Sequence, residues 1–147
     1  MRYLLMAIPL LIGTVAPANA DCSVADKSFA AFIQAFKNDR AFQLTRIDNP
    51  LPWTSTEPDA NGKMASQQQN VSVQALSQRS ISIIRGNDRA AELSGGEGQL
   101  CEQGPTVKGA HASLTQYSCN TDVYADQYQF VLRHGCWQLQ TLSTSGG

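Results

Sequence analysis

The sequence has almost no excess of either charge. Its 11 Lys and Arg stand against 12 Asp and Glu, and charged residues make up 16% of the 147 positions. Without a basic surplus, nucleic acid is excluded as the main partner. With so little charge beside 42% hydrophobic residues, a charged disordered tail is excluded as well. The motifs that announce chemistry are also missing. There is no G-x-S-x-G nucleophile elbow and no C-x-x-C pair. The run Gly95-Gly96-Glu97-Gly98 lacks the Lys-Ser/Thr of a phosphate loop and the third Gly of a dinucleotide fingerprint; it reads as a turn. The length excludes a large multidomain enzyme, and no internal repeat is present.

What is present begins with an address. Arg2 supplies a short basic start, Tyr3 to Val15 an apolar run, and Ala18-Asn19-Ala20 a small-residue end. These are the three regions of a secretory signal peptide, with cleavage expected after Ala20. Pro9 and Gly13 interrupt the run, which falls short of the ~20 residues that a membrane span needs. Lipidation at Cys22 would need a small residue before it, and Asp21 is charged. The expected product is therefore residues 21–147, periplasmic or secreted, with no membrane anchor after cleavage.

Four cysteines, Cys22, Cys101, Cys119 and Cys136, lie in that product. An even number in an exported chain predicts two disulfides. Three pairings are open. His111 and His134 are not at metal-ligand spacing, so no metal site is expected.

Ser23-Val24-Ala25-Asp26 resembles a capping box. Phe29, Phe32, Ile33 and Phe36 then fall at i, i+3, i+4 and i+7, one face of a helix. A shorter helix carrying Phe42 follows Asn38-Asp39 and ends before Pro50. Residues 48–70, with Pro50, Pro52, Pro58, Asn61 and Gly62, read as a long loop with room for short irregular strands, in which Trp53 is an anchor or a contact residue. Strand patterns follow: Ser80 to Ile84, a turn at Gly86-Asn87-Asp88, and a short return strand from Ala90 to Leu93. Further segments run from Ala110 to Cys119, Tyr124 to Arg133 and Cys136 to Leu142. Tyr124, Tyr128, Phe130 and Leu132 share one face of their strand, with Gln127, Gln129 and Arg133 opposite. Trp137 and Leu139 oppose Gln138 and Gln140. His134-Gly135 suits a tight hairpin, and residues 143–147 read as a frayed tail. Helices followed by strands give a single α+β domain, N-terminal helices packed on a curved antiparallel sheet.

Three pieces carry a family resemblance: Phe29-x-x-Phe32-x-x-x-Phe36, Asp39-x-x-Phe42-Gln43-x-x-Arg46-Ile47, and Pro50-Leu51. Together they resemble a family of exported bacterial proteins of unknown function within the NTF2-like (cystatin-like) superfamily. The closing Tyr128-x-Phe130 and Trp137-x-Leu139 are similar to the last hairpin of such domains. The resemblance implies a cone open at one end to a ligand or partner, and pairing of two copies through the sheet as a homodimer. It implies no activity.

No catalytic set is assigned, because a Ser-His-Asp trio could be picked from any chain of this composition. An isomerase or dehydratase would need an acid/base pair inside the cone, for which the candidates are Tyr117, Tyr128, Asp126 and His111. Arg46, among apolar positions, is expected to pair with a carboxylate or with loop carbonyls, with Asp39 a candidate partner. Candidate binding residues are Trp53, Arg46, Tyr117, Tyr128 and His111. No cofactor is expected. The expectation is a non-enzymatic periplasmic binding protein for a protein or small-molecule ligand, using its Gln/Ser/Thr-rich strand surface or the mouth of the cone. The alternatives are a periplasmic immunity or inhibitor protein that neutralises a toxin or hydrolase, and a small isomerase or hydrolase.

Overall fold

The computed structural model describes residues 22–78, 100–119 and 124–146. The expected leader at 1–20, the strands at 80–84 and 90–93 and the turns at 86–88 and 95–98 lie outside the described residues. The capping box forms as the sequence reads, but it closes a single 3-10 turn, Val24–Lys27. The Ser23 N–H donates to Asp26 Oδ2 at 2.8 Å. A second cap, the Ser28 hydroxyl accepting from the Ala31 N–H, then starts α1 (Phe29–Asn38). Asp39 caps the next helix, α2 (Arg40–Thr45), by accepting from the Phe42 N–H. A third short helix, α3, spans Val73–Ser77.

Among the described residues, six strands form one sheet: β1 (Leu51–Pro58), β2 (Met64–Val71), β3 (Leu100–Lys108), β4 (His111–Ser118), β5 (Tyr124–Arg133) and β6 (Cys136–Gly146). Their order is β2-β1-β6-β5-β4-β3. Four of the strand pairs are antiparallel. The pair β1·β6 is parallel, so the sheet is mixed where an all-antiparallel one was expected.

Two further expectations are corrected, and one strand was not anticipated. Residues 48–70 are not a loop: β1 and β2 pair over eight residues. The prolines misled, yet Pro52 fits a central strand because β6 pairs with β1 only from Trp53 onward. The tail does not fray, since β6 runs to Gly146 and Tyr124↔Gly146 is a registered pair. A strand that the sequence pattern did not show, β3, forms one edge; Gly104 and Pro105 interrupt its alternation, and its register against β4 shifts there.

The helices cover one face of the sheet. Phe29, Phe32, Ile33 and Phe36 of α1 are all buried, as their spacing requires. Phe130 of β5 is the centre of their packing. The rings of Phe29, Phe32 and Phe36 meet it edge-on at centroid distances of 5.2, 5.6 and 5.5 Å, the arrangement that aromatic quadrupoles favour. Trp137 closes the same cluster, 5.0 Å from Phe29. Each large ring buried this way contributes about 1.5–3 kcal/mol of transfer free energy. His134 (φ 51°) and Gly135 (φ 82°) make the two-residue turn between β5 and β6, and positive φ at both positions is what a type I′ hairpin needs. The two disulfides are Cys22–Cys136 and Cys101–Cys119. The first ties the start of the described chain to β6, and the second bridges β3 to the end of β4. Among the described residues, no helix is long and apolar enough to cross a membrane.

Candidate binding surface

Side chains alternate across the sheet, so residues in register share a face. On the helix-covered face one transverse row crosses all six strands: Gln67, Ser55, Thr144, Asp126, Gln116 and Glu102. Its centre is closed, with Gln116 and Asp126 buried; Ser55 and Thr144 are half-buried, and Gln67 and Glu102 exposed. Glu102 is held by Lys37 of α1, and it accepts from Gln116 Nε2 at 3.1 Å. Beside this row Leu114, Tyr128, Leu142 and Trp53 lie in register. Tyr128 is fully buried, and its hydroxyl donates to Asp126 Oδ2 at 3.3 Å. Trp53 is half-buried against the core and donates from Nε1 to Thr144 Oγ1 at 3.1 Å. It is thus an anchor that holds β1 to β6.

Arg46 sits at the C-terminal end of α2. Its partner is Asp26 and not Asp39, with Nη2 3.1 Å from Oδ2 and both side chains buried. The Asp26 carboxylate also accepts from the Trp137 N–H at 2.9 Å, and the Arg46 guanidinium lies 5.0 Å from the Phe42 ring centroid. Asp39 is engaged as the cap of α2. The role of Arg46 is therefore to join the 3-10 turn, α2 and β6.

The opposite face has a different composition. One row reads Gln68, Thr54, Ser143, Gln127, Thr115 and Gln103 across all six strands. Every member is a hydroxyl or an amide, and each is exposed or half-buried. On one side of it lies Ser66, Thr56, Ser145, Ala125, Tyr117 and Cys101, and on the other Thr141, Gln129, Ser113 and Thr106. None of these residues is charged. Among the described residues of this face, charge enters only beyond them, with Lys108 in the row of Gln138, Val131 and His111, and with Arg133, which is 3.0 Å from Asp48. The row from Gln68 to Gln103 offers both donors and acceptors at each position and carries no fixed charge to desolvate.

The candidate residues are not brought to one place. Tyr117 and His111 are exposed on this open face at opposite ends of β4, about 20 Å apart by strand rise. Tyr128 and Trp53 lie on the helix-covered face, and Arg46 is buried at the end of α2. The polarity of Gln127, Gln129 and Gln138 was legible in the sequence. Their alignment with Thr54, Gln68 and Gln103 was not, because it depends on the pairing of β1 with β6 and on β3.

The sequence matches no protein-family model and no curated protein. Its fold is similar to that of an NTF2-like protein from Bacteroides fragilis, at TM-score 0.55 and 14% identity over 82% of this chain. The match spans 48% of that longer chain, about half its length. It is also similar to NTF2-like proteins of unknown function from Shewanella baltica (TM-score 0.41, 11% identity, 81% of this chain and 87% of that one) and Silicibacter pomeroyi (0.38, 16%, 79% and 87%). The chain has the NTF2-like α+β fold.

Proposed function

We propose that this NTF2-like chain is an exported, non-enzymatic binding protein that engages its partner through the open face of the sheet. The observation that carries the reading is the six-strand row from Gln68 to Gln103, composed wholly of hydroxyl and amide side chains. A fold can host many functions, so the choice rests on this surface. A surface of uncharged hydrogen-bonding groups suits an uncharged, hydrogen-bonding partner. It tolerates small shifts of register, since most groups can donate or accept. The two disulfides and the leader-like residues 1–20 support an oxidising, extracytoplasmic setting.

A test is capture from a periplasmic extract with the protein immobilised. Thr115→Arg and Gln127→Arg place cationic bulk in the middle of the open face. A partner bound by the unmodified chain is expected to be lost from both variants and retained by Gln67→Arg, which lies on the other face. Retention by the open-face variants contradicts the proposal.

One observation favours a second reading. Tyr128 and Asp126 form a buried hydroxyl–carboxylate pair inside the sheet, an arrangement capable of proton transfer. Under that reading Asp126→Asn abolishes a turnover that Thr115→Arg leaves intact.

A further inference from the structure

Protein partners anchor on aromatic, Met or Arg side chains at the middle of an interface. The central row of the open face, Gln68, Thr54, Ser143, Gln127, Thr115 and Gln103, holds none of these. An aromatic ring stands at its margin instead. Tyr117 is 37% exposed and lies in the adjoining row, two residues from Thr115 along β4. Its cross-strand neighbours in that row are Ala125 and Cys101. Both are small, so neither covers the ring. With strands roughly 4.8 Å apart, a row crossing six of them is about 24 Å long.

We propose that the occupant of the open face is an uncharged, extended, β-linked glycan that lies across the strands and stacks one sugar on Tyr117. This rests on the open face being the binding surface, and it names the chemical class bound there. Every unit of such a chain carries hydroxyls that donate and accept, as do the side chains of the central row. The C–H groups on one side of a pyranose are weakly positive and suit the negative face of an aromatic ring. An extended β-linked chain advances by about one strand spacing per sugar, so successive sugars meet successive strands. The length of the row calls for a chain and not a single sugar. An acidic polysaccharide would bring carboxylates onto this row and the two beside it, where the described residues supply no cation, and would lose hydration without a partner.

Titration calorimetry with cellohexaose, a soluble hexamer of β-linked glucose, tests this. Saturable binding with a dissociation constant of about 1 mM or below is expected, unchanged between roughly 0.05 and 0.5 M salt because the ligand is neutral. Tyr117→Ala is expected to weaken it about three- to tenfold. Tyr117→Phe is expected to retain it, which a folding defect would not allow. Thr115→Arg is expected to abolish it, while Gln67→Arg, on the helix-covered face, leaves it intact. The α-linked, coiled isomer maltohexaose is expected to bind at least tenfold more weakly, about the ratio that one lost contact gives. Absence of cellohexaose binding, equal binding of maltohexaose, or full affinity in Tyr117→Ala overturns the proposal. If cellohexaose does not bind but Thr115→Arg still loses a protein captured from a periplasmic extract, the glycan is wrong and the open-face reading stands. Cellohexaose bound equally well by Thr115→Arg overturns both.

Discussion

Arg46 Nη2 lies 3.1 Å from Asp26 Oδ2, with the two side chains 4% and 2% exposed, at the point where the 3-10 turn, α2 and β6 meet. Asp26 additionally holds the N–H groups of Ser23 and Trp137. The pair therefore does two jobs, neutralising a buried guanidinium and fixing the entry of the chain onto β6.

Removing one partner leaves the other charge buried, a change that costs about 3–5 kcal/mol. Arg46→Met is expected to lower the unfolding free energy by an amount in that range, read from the denaturant midpoint at constant slope. Asp26→Asn combined with Arg46→Met should cost less than the sum of the single changes. A urea titration of the four proteins measures the coupling; strict additivity would mean that the pair is not an energetic unit.

The disulfides should contribute unequally. Cys22–Cys136 closes a loop of 114 residues and Cys101–Cys119 one of 18. Restriction of the unfolded chain grows with loop length, from about 3 kcal/mol near 15 residues to about 4.7 near 100. Cys22→Ser with Cys136→Ser is expected to lower Tm more than Cys101→Ser with Cys119→Ser. Calorimetry of both double variants decides the order.

His134 holds a positive φ at the first position of the β5–β6 turn. Asn adopts that region more readily, and Asn-Gly is the favoured type I′ pair. His134→Asn is expected to stabilise by about 0.5 kcal/mol, within the range for such backbone effects. Thermal unfolding checks the sign. A β-branched residue such as Val at this position should destabilise.

Phe130→Ala removes the ring on which Phe29, Phe32 and Phe36 converge. The expected cost is about 3–5 kcal/mol, as for large aromatic truncations in packed cores, read as the shift of a denaturant midpoint at constant slope.

Local patterns carried much of this architecture. The 3.6-residue spacing of the phenylalanines identified α1 and its buried face, and the period-2 alternation of Leu114, Tyr128, Phe130 and Leu139 identified β4 to β6. The β1–β2 hairpin was hidden because it is polar on both faces: β2 buries only Val71, and the surrounding prolines signal a loop. Gly104-Pro105 hid β3 in the same way. The pairing of Arg46 with Asp26 could not be read locally, since the two meet only through the tertiary fold. The open-face row was legible strand by strand, but its extent across six strands required the register.

The central claim is that the open face, and not the buried row behind it, meets the partner. Side-chain amide NMR resonances report it directly, because glutamines lie on both faces. On addition of the captured partner, the amide groups of Gln103, Gln127 and Gln129 are expected to shift while those of Gln43 and Gln116 stay in place. Shifts at Gln116 with an unperturbed Gln127 would contradict the account.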